Sequence, residues 1–182
     1  MNKAVLKNQR ATASSLTYEL TGKKLTHLRS GRPFVSRSMD VSVSHKGPVV
    51  GVSVVPAPYR IGIDIEWLGE RLSTKLFFGS VITKEELPVF KNFCREAGFS
   101  PSSGVAVFWS IKESFFKCLD HDLKPGKIGV LGISREGEIQ LGLSDEIKNV
   151  MKKRNLELCS VKAAFDGEYV YLETIMRWFK KK

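Results

Sequence analysis

The chain has 182 residues, 42% of them hydrophobic and 26% charged, which suits one globular domain or two small halves sharing a core. It has no run approaching the roughly 18 apolar residues that cross a membrane, and residues 1–7 have a basic start without the apolar core of a secretory signal, so a cytoplasmic protein is expected. A formal charge of +10 and a pI of about 9.6 favour an anionic partner, whether nucleic acid, a phosphate-rich cofactor or an acidic protein. The three cysteines, Cys94, Cys118 and Cys159, are an odd number without metal-type spacing and read as reduced thiols.

In chain order, residues 8–20 predict a helix with Ala13, Leu16 and Leu20 as its apolar stripe, ended by Gly22. Arg10 lies near its start, where the helix dipole disfavours a cation, which leaves room for a partner of its own. Lys23, Lys24, Arg29, Arg32 and Arg37 surround a Gly31-Arg32-Pro33 turn, a candidate phosphate-binding segment. Residues 41–45 alternate like a half-buried strand, 49–55 form a second and 60–66 a third; the short turns between them favour an antiparallel meander. Ser44, His45 and Lys46, at a strand end, suggest an anion pocket.

Further on, Thr83 and Glu86 have capping-box spacing and open a helical region that runs to about residue 97, with Pro88 kinking it or restarting the helix just before it. Residues 105–119 predict a helix with Phe108, Ile111, Phe115 and Leu119 as core stripe and Glu113 and Lys117 on the opposite face. Strands follow at 127–134, 138–143, 156–165 and 169–178, with hairpin turns at Gly137 and Asp166-Gly167 and a short helical piece at 144–154. Lys180 to Lys182 read as a frayed tail. The pattern implies an α+β protein of two similar halves, 1–99 and 100–182, each a small antiparallel sheet packed with helices, with the site at their interface.

The chemistry concentrates in two stretches. In Ile61-Gly62-Ile63-Asp64-Ile65-Glu66 the isoleucines point one way along a strand, and Gly62, Asp64 and Glu66 point the other, so two carboxylates share a face beside a glycine that leaves room for something to approach. In Trp109-Ser110-Ile111-Lys112-Glu113-Ser114-Phe115-Phe116-Lys117, Glu113 and Lys117 are helical neighbours. Asp64, Glu66 and Glu113 together offer oxygen ligands to Mg²⁺, with open positions for a diphosphate. Lys117 is placed to hold a non-bridging oxygen, and a carboxylate within reach can take a proton from an attacking hydroxyl. Arg32, Ser44 and His45 could hold a further phosphate away from the reacting centre.

These two stretches, with Ser44-His45-Lys46-Gly47, resemble the signatures of the 4'-phosphopantetheinyl transferases, and more closely the surfactin-synthetase-activator-like, monomeric two-half type than the shorter trimeric holo-acyl-carrier-protein synthases. The order and approximate separations agree from about Arg10 to the C-terminus. The resemblance implies transfer of the phosphopantetheine arm of coenzyme A to a serine of an acidic apo acyl or peptidyl carrier protein, with release of adenosine 3',5'-bisphosphate and dependence on Mg²⁺, or Mn²⁺ in its place. It implies Asp64, Glu66 and Glu113 on the metal, Lys117 on the diphosphate, and a general base that is either Glu113 or Glu86 acting through water. Arg32 and Pro33, in a turn where the family often has Gly-Lys-Pro, Ser44, His45 and Arg10 would contact coenzyme A, and Glu86 resembles an acid sometimes found near the metal. The chain departs from relatives that carry a longer, basic segment before the position of Arg10. The competing readings are a metal-dependent nuclease and a non-catalytic nucleic-acid binder. The common nuclease pattern sets an acid and a lysine two apart on a strand, whereas Glu113 and Lys117 are four apart on a helix; a binder would not need paired carboxylates, and the chain carries no recognisable nucleic-acid module.

Overall fold

The computed structural model describes residues 3–69, 75–120 and 124–179; the lysine tail at 180–182 lies outside them. Helix α1 (Lys3–Thr21) is followed by the two-residue strands β1 (Thr26–His27) and β2 (Pro33–Phe34), then β3 (Met39–Lys46), β4 (Val49–Pro56) and β5 (Tyr59–Trp67). Helices α2 (Lys75–Val81), α3 (Leu87–Ala97) and α4 (Pro101–Leu119) come next, then β6 (Ile128–Ile133), β7 (Ile139–Leu143), α5 (Asp145–Arg154), β8 (Leu156–Phe165) and β9 (Tyr169–Trp178). The architecture is α+β with small antiparallel sheets, as the sequence predicts.

Helix α1 ends at Gly22, whose left-handed φ of +65° suits a residue without a Cβ. Its packed face differs from the predicted stripe. Gln9, Ala13 and Thr17, four apart, are buried, while Leu20 is 60% exposed. The face settles on polar groups that find partners: Gln9 Nε2 donates to the Gly47 carbonyl at 2.7 Å, and Thr17 Oγ1 bonds back to the Ala13 carbonyl at 2.7 Å.

Strands β3 and β4 pair as an antiparallel hairpin, but β5 does not continue the meander. It pairs instead with β9, Asp64 opposite Leu172, in a sheet ordered β5-β9-β8. The reason lies on the other edge of β5. The N–H groups of Ile61, Ile63 and Ile65 donate to Asp40 Oδ2 (2.8 Å), Ser42 Oγ (3.0 Å) and Ser44 Oγ (3.2 Å). Side-chain oxygens on alternate residues of β3 stand in for a backbone ladder, so β3 lies against β5 without joining its sheet, and each donor is still satisfied.

Helix α4 is the centre of the molecule. Ser100 caps it, accepting from the Ser103 N–H at 3.1 Å, and Pro101 occupies its first turn, so it begins four residues before the predicted start. From Ser103 onward it is buried all round except along a narrow line at Trp109, Glu113 and Lys117. On one side Phe108 and Ile111 enter a core with Phe90, Val130, Val161 and Leu172; on the other Phe115, Cys118 and Leu119 meet Ile128, Ile147 and Met176. Residues 60–66 and 101–119 fall on opposite sides of residue 99, yet β5 shares a sheet with β9 and lies under α4.

Candidate active site

The site is made by one close approach. A Cβ at Gly62 would sit 2.0 Å from the Ser114 carbonyl oxygen and 2.4 Å from the Cys118 nitrogen, so only glycine allows α4 to rest its backbone directly on β5. The space that the sequence reserves beside the strand carboxylates is therefore filled by the helix. With the axes this close, the line of α4 residues that reaches solvent opens next to Asp64. Cys118, pressed into the same contact, is inert: burial pushes its thiol up to about 12. All three cysteines are free, in line with the reduced thiols expected.

Asp64 is buried and fully engaged. Lys117 Nζ donates to its Oδ1 at 2.6 Å and Ser44 Oγ donates to the same oxygen at 3.0 Å, while Ser110 Oγ donates to Oδ2 at 2.8 Å. Lys117 also reaches Ser44 Oγ at 3.2 Å. Glu66, two residues along the same face, is paired with Lys46 at 2.6 Å. Both lysines keep access to water, their side chains being 33% and 27% exposed. Glu113 and Lys117 line a cleft of about 470 Å³ whose opposite wall comes from the Gly31-Arg32-Pro33 turn and from Ser42. Among the described residues, no three His, Cys, Asp or Glu side chains are grouped closely enough to hold a metal ion.

Arg32 stands in this wall but is mostly spent on structure. Its guanidinium donates to Asp40 Oδ2 at 2.6 Å, to the Ile61 carbonyl at 3.1 Å and to the Lys117 carbonyl. It thus ties the turn to β3, β5 and the last turn of α4, where a cation also complements the helix dipole. Ser44 faces Asp64 and the Ile65 N–H, on the inner side of β3. His45 is exposed at the end of β3, and Arg10 is exposed on α1, near the β3–β4 turn that Gln9 grips. The structure therefore brings together Asp64, Ser44, Lys117, Glu113, Arg32 and Pro33, and leaves Arg10 and His45 at the periphery.

Glu86 is elsewhere. It forms the predicted capping box, accepting from the Thr83 N–H at 2.8 Å while its own N–H meets Thr83 Oγ1 at 3.4 Å. Helix α3 starts just after it, with Pro88 in its first turn. The same carboxylate accepts from Lys112 Nζ at 2.8 Å and from the Val130 N–H at 2.8 Å, and is 2% exposed. A carboxylate so enclosed serves the packing and lies outside the lining of the cleft, which does not favour a role near a metal, directly or through water.

Sequence reasoning missed Ser110. Its signal was present, a serine inside an otherwise apolar stretch of helix, where a hydroxyl usually bonds back to its own helix. Here it crosses to Asp64 instead.

Residues 60–155 match the family model of the 4'-phosphopantetheinyl transferase superfamily. That span holds β5, α4 and the carboxylate–lysine pair between them. No curated protein sequence matches the chain. Among solved structures, it resembles the ACPS–CoA complex of Chronobacterium ammoniagenes (TM-score 0.53, 21% identity, covering 67% of this chain and 98% of that one). It also resembles the holo-[acyl-carrier-protein] synthase of Neisseria meningitidis (TM-score 0.52, 20% identity, 65% and 97%) and the holo-ACP synthase of Plasmodium yoelii (TM-score 0.51, 17% identity, 66% and 95%). At these identities the structural likeness speaks to fold. With more than half of the chain matched by the family model and the paired stretches of β5 and α4 inside the match, the chain belongs to the 4'-phosphopantetheinyl transferase superfamily and is a phosphopantetheinyl transferase.

Proposed function

We propose that this transferase moves the 4'-phosphopantetheine arm of coenzyme A to a serine of an acidic apo acyl or peptidyl carrier protein, with Mg²⁺, and releases adenosine 3',5'-bisphosphate. The observation that carries the reading is the meeting of Asp64 on β5 with Lys117 on α4 at 2.6 Å, where Lys117 lines a cleft together with Glu113. The family match and the likeness to an ACPS–CoA complex support the substrate.

The oxygen donors are of the kind a hard divalent cation takes, but Asp64, Glu66 and Glu113 are not grouped closely enough in this structure to hold one together. Asp64 and Glu66 present carboxylates on one strand face, and each is neutralised by a lysine that water can also hold. Drawn closer together, Asp64, Glu66 and Glu113 would hold the metal, which when bound neutralises charge on the leaving phosphate. Freed from Asp64, Lys117 turns to a non-bridging oxygen of the diphosphate. Glu113, on the accessible line of α4, takes the proton of the carrier serine hydroxyl. The serine oxygen forms a bond to the pantetheine-side phosphorus, and the bond from that phosphorus to the bridging diphosphate oxygen breaks. Arg32 and Pro33 in the wall, with His45 and Arg10 at the edge, are the residues proposed for coenzyme A. Ser44 would join them only by giving up its bond to Asp64.

The monomeric, two-half form of the family is supported by the origin of the cleft walls. Arg32 and Ser42 come from before residue 99 and Glu113 and Lys117 from after it, so one chain supplies both. A cytoplasmic location is part of the same reading; among the described residues no helix is long and apolar enough to cross a membrane. Intact-protein mass spectrometry of apo carriers incubated with the enzyme, coenzyme A and Mg²⁺ tests it. One added phosphopantetheine, abolished by EDTA, is the expected result. No addition to any carrier, together with no binding of coenzyme A by calorimetry, would refute it.

A further inference from the structure

A second cavity of about 250 Å³ adjoins the reaction cleft, the two sharing Arg32 and Asp120 in their walls. Its walls are largely apolar: Leu28, Phe34, Met39, Tyr59 and Trp178. Arg60 stands among them and is 7% exposed. Buried cations are ordinarily paired and hydrogen-bonded. Arg60 falls short on both counts. Its Nε–H finds no acceptor, its nearest carboxylate oxygen is Asp120 Oδ2 at 3.9 Å, and one face of the guanidinium lies against the Trp178 ring, 5.4 Å from the centroid. Burial and the neighbouring Arg32 both lower its affinity for the proton, the sign of a cation short of negative charge.

The other charges around the cavity do not close the gap. Of the two aspartates, Asp40 is committed to Arg32 at 2.6 Å and to the Ile61 N–H at 2.8 Å. Arg37, exposed at the rim, adds a third arginine to the wall. Three arginines thus face two aspartates. The volume is below the roughly 300–1,000 Å³ of drug-sized sites, so the occupant is compact.

We propose that this cavity is a second ligand site, for a small carboxylate with an apolar body. The carboxylate would sit against Arg60, with Arg37 at the entrance, and the apolar part among Phe34, Met39 and Trp178. A small free acid, rather than a peptide segment, is the occupant that the small volume favours. The site stands on this geometry alone and does not depend on the transferase reaction.

The test is calorimetric titration of the whole protein with hexanoate and with its uncharged counterpart hexanamide, alongside ¹⁵N spectra of the Trp178 indole N–H. Hexanoate is expected to bind and to shift that signal, and hexanamide to bind at least about fivefold more weakly. Arg60→Gln should erase the difference between the two. Because Arg60→Gln can disturb folding, Arg37→Gln at the exposed rim is the second variant, expected to weaken hexanoate about two- to threefold with an unchanged melting temperature. Lys117→Ala, in the other cleft, should leave hexanoate binding as it is. Equal binding of acid and amide, no binding of either, or loss of hexanoate binding in Lys117→Ala would each overturn the proposal.

Discussion

Helix α4 carries two lysine–carboxylate pairs on two sides, and they differ in one respect. Lys112 meets Glu86 at 2.8 Å with both side chains sealed, 0% and 2% exposed. Lys117 meets Asp64 at 2.6 Å, but its side chain is 33% exposed and opens into the cleft. The contact distances are nearly alike; the surroundings are not. Burial pushes the Lys112 ammonium below its ordinary value, and only the hydrogen bond and charge of Glu86 pull it back. That pair cannot exchange partners without leaving a charge in the core. The Lys117 pair can, because water stands ready to take the lysine. Five residues on one helix separate a strut from a working group, and access to solvent sets the boundary.

The largest expected effect is on the sealed side. Glu86→Ala removes the acceptor for Lys112, for the Thr83 N–H and for the Val130 N–H together. Breaking a buried pair from one side costs about 3–5 kcal/mol, so the variant should unfold at much lower urea concentration or fail to fold, as read by circular dichroism. If it melts like the parent, the strut is misread. Replacing both partners by apolar residues, Glu86→Leu with Lys112→Met, should recover only part of the loss, because the buried Val130 N–H stays without an acceptor at about 1–3 kcal/mol and the part-buried Thr83 N–H loses its own.

On the open side the signs reverse. Asp64→Ala should lower the melting temperature less than Glu86→Ala does, since Lys117 can turn to water and only the Ser44 and Ser110 hydroxyls lose a buried acceptor, while transfer to a carrier falls at least about a hundredfold, the order expected when a group neutralising phosphate charge is lost. Mass spectrometry of the carrier and a thermal melt on the same sample check both halves. A drop in stability as large as that of Glu86→Ala would mean that the two pairs do the same job and the contrast between them fails.

Much of this was legible in the sequence. Alternation in residues 61–66 sets the isoleucines on one face and Asp64 and Glu66 on the other, and the spacing of Glu113 and Lys117 makes them neighbours on a helix; in the structure the three isoleucines are buried and Glu113 and Lys117 line one cleft. Strands β6 to β9 and the glycine turns at Gly137 and Gly167 also follow from local patterns, with φ of +78° and +95° at the two glycines. What local patterns cannot carry is pairing between distant segments. Nothing in residues 49–66 says that β5 would leave its neighbour β4 for β9, over a hundred positions on. Nothing in a capping box says that its glutamate also receives a lysine from another helix. Arg32 was read from its turn alone, whereas its main partners are Asp40 and two carbonyls, from β5 and from α4. Composition hid the burial of α4 as well, since Ser103, Ser110, Lys112 and Ser114 look like a polar face until each partner is seen.

Gly62→Ala tests the contact that brings the two pairs to their places. A methyl 2.0 Å from a helix carbonyl has backbone on the other side and no flexible atom to yield, so the helix must lift from the strand. Overpacking of this kind costs typically about 1–3 kcal/mol. Part of the cost should appear in function, because lifting α4 lengthens the Lys117–Asp64 contact. Cys118 reports the lift directly: its thiol, unreactive in the parent, should become labelled by a thiol reagent at neutral pH.

Ser110→Ala is the finest of these changes. It removes one hydroxyl that donates to Asp64 Oδ2 and leaves the pair with Lys117 and the bond from Ser44 on Oδ1. The site is fully buried, and a methyl of nearly the same volume takes the place of the hydroxymethyl group. The expected cost is therefore close to that of one hydrogen bond to a charged group, about 1.5–3 kcal/mol. How that cost divides is informative. If Ser110 holds Asp64 in register for a cation, Mn²⁺ binding followed by electron paramagnetic resonance should weaken more than the melting temperature falls, and Asp64→Ala should show no further loss when Ser110→Ala is added. If the hydroxyl only fills a polar gap in the core, stability alone should drop and Mn²⁺ affinity should stay at the parent value. The second outcome would place Ser110 with Lys112 among the struts; the first would place it with Lys117 on the working side of the helix.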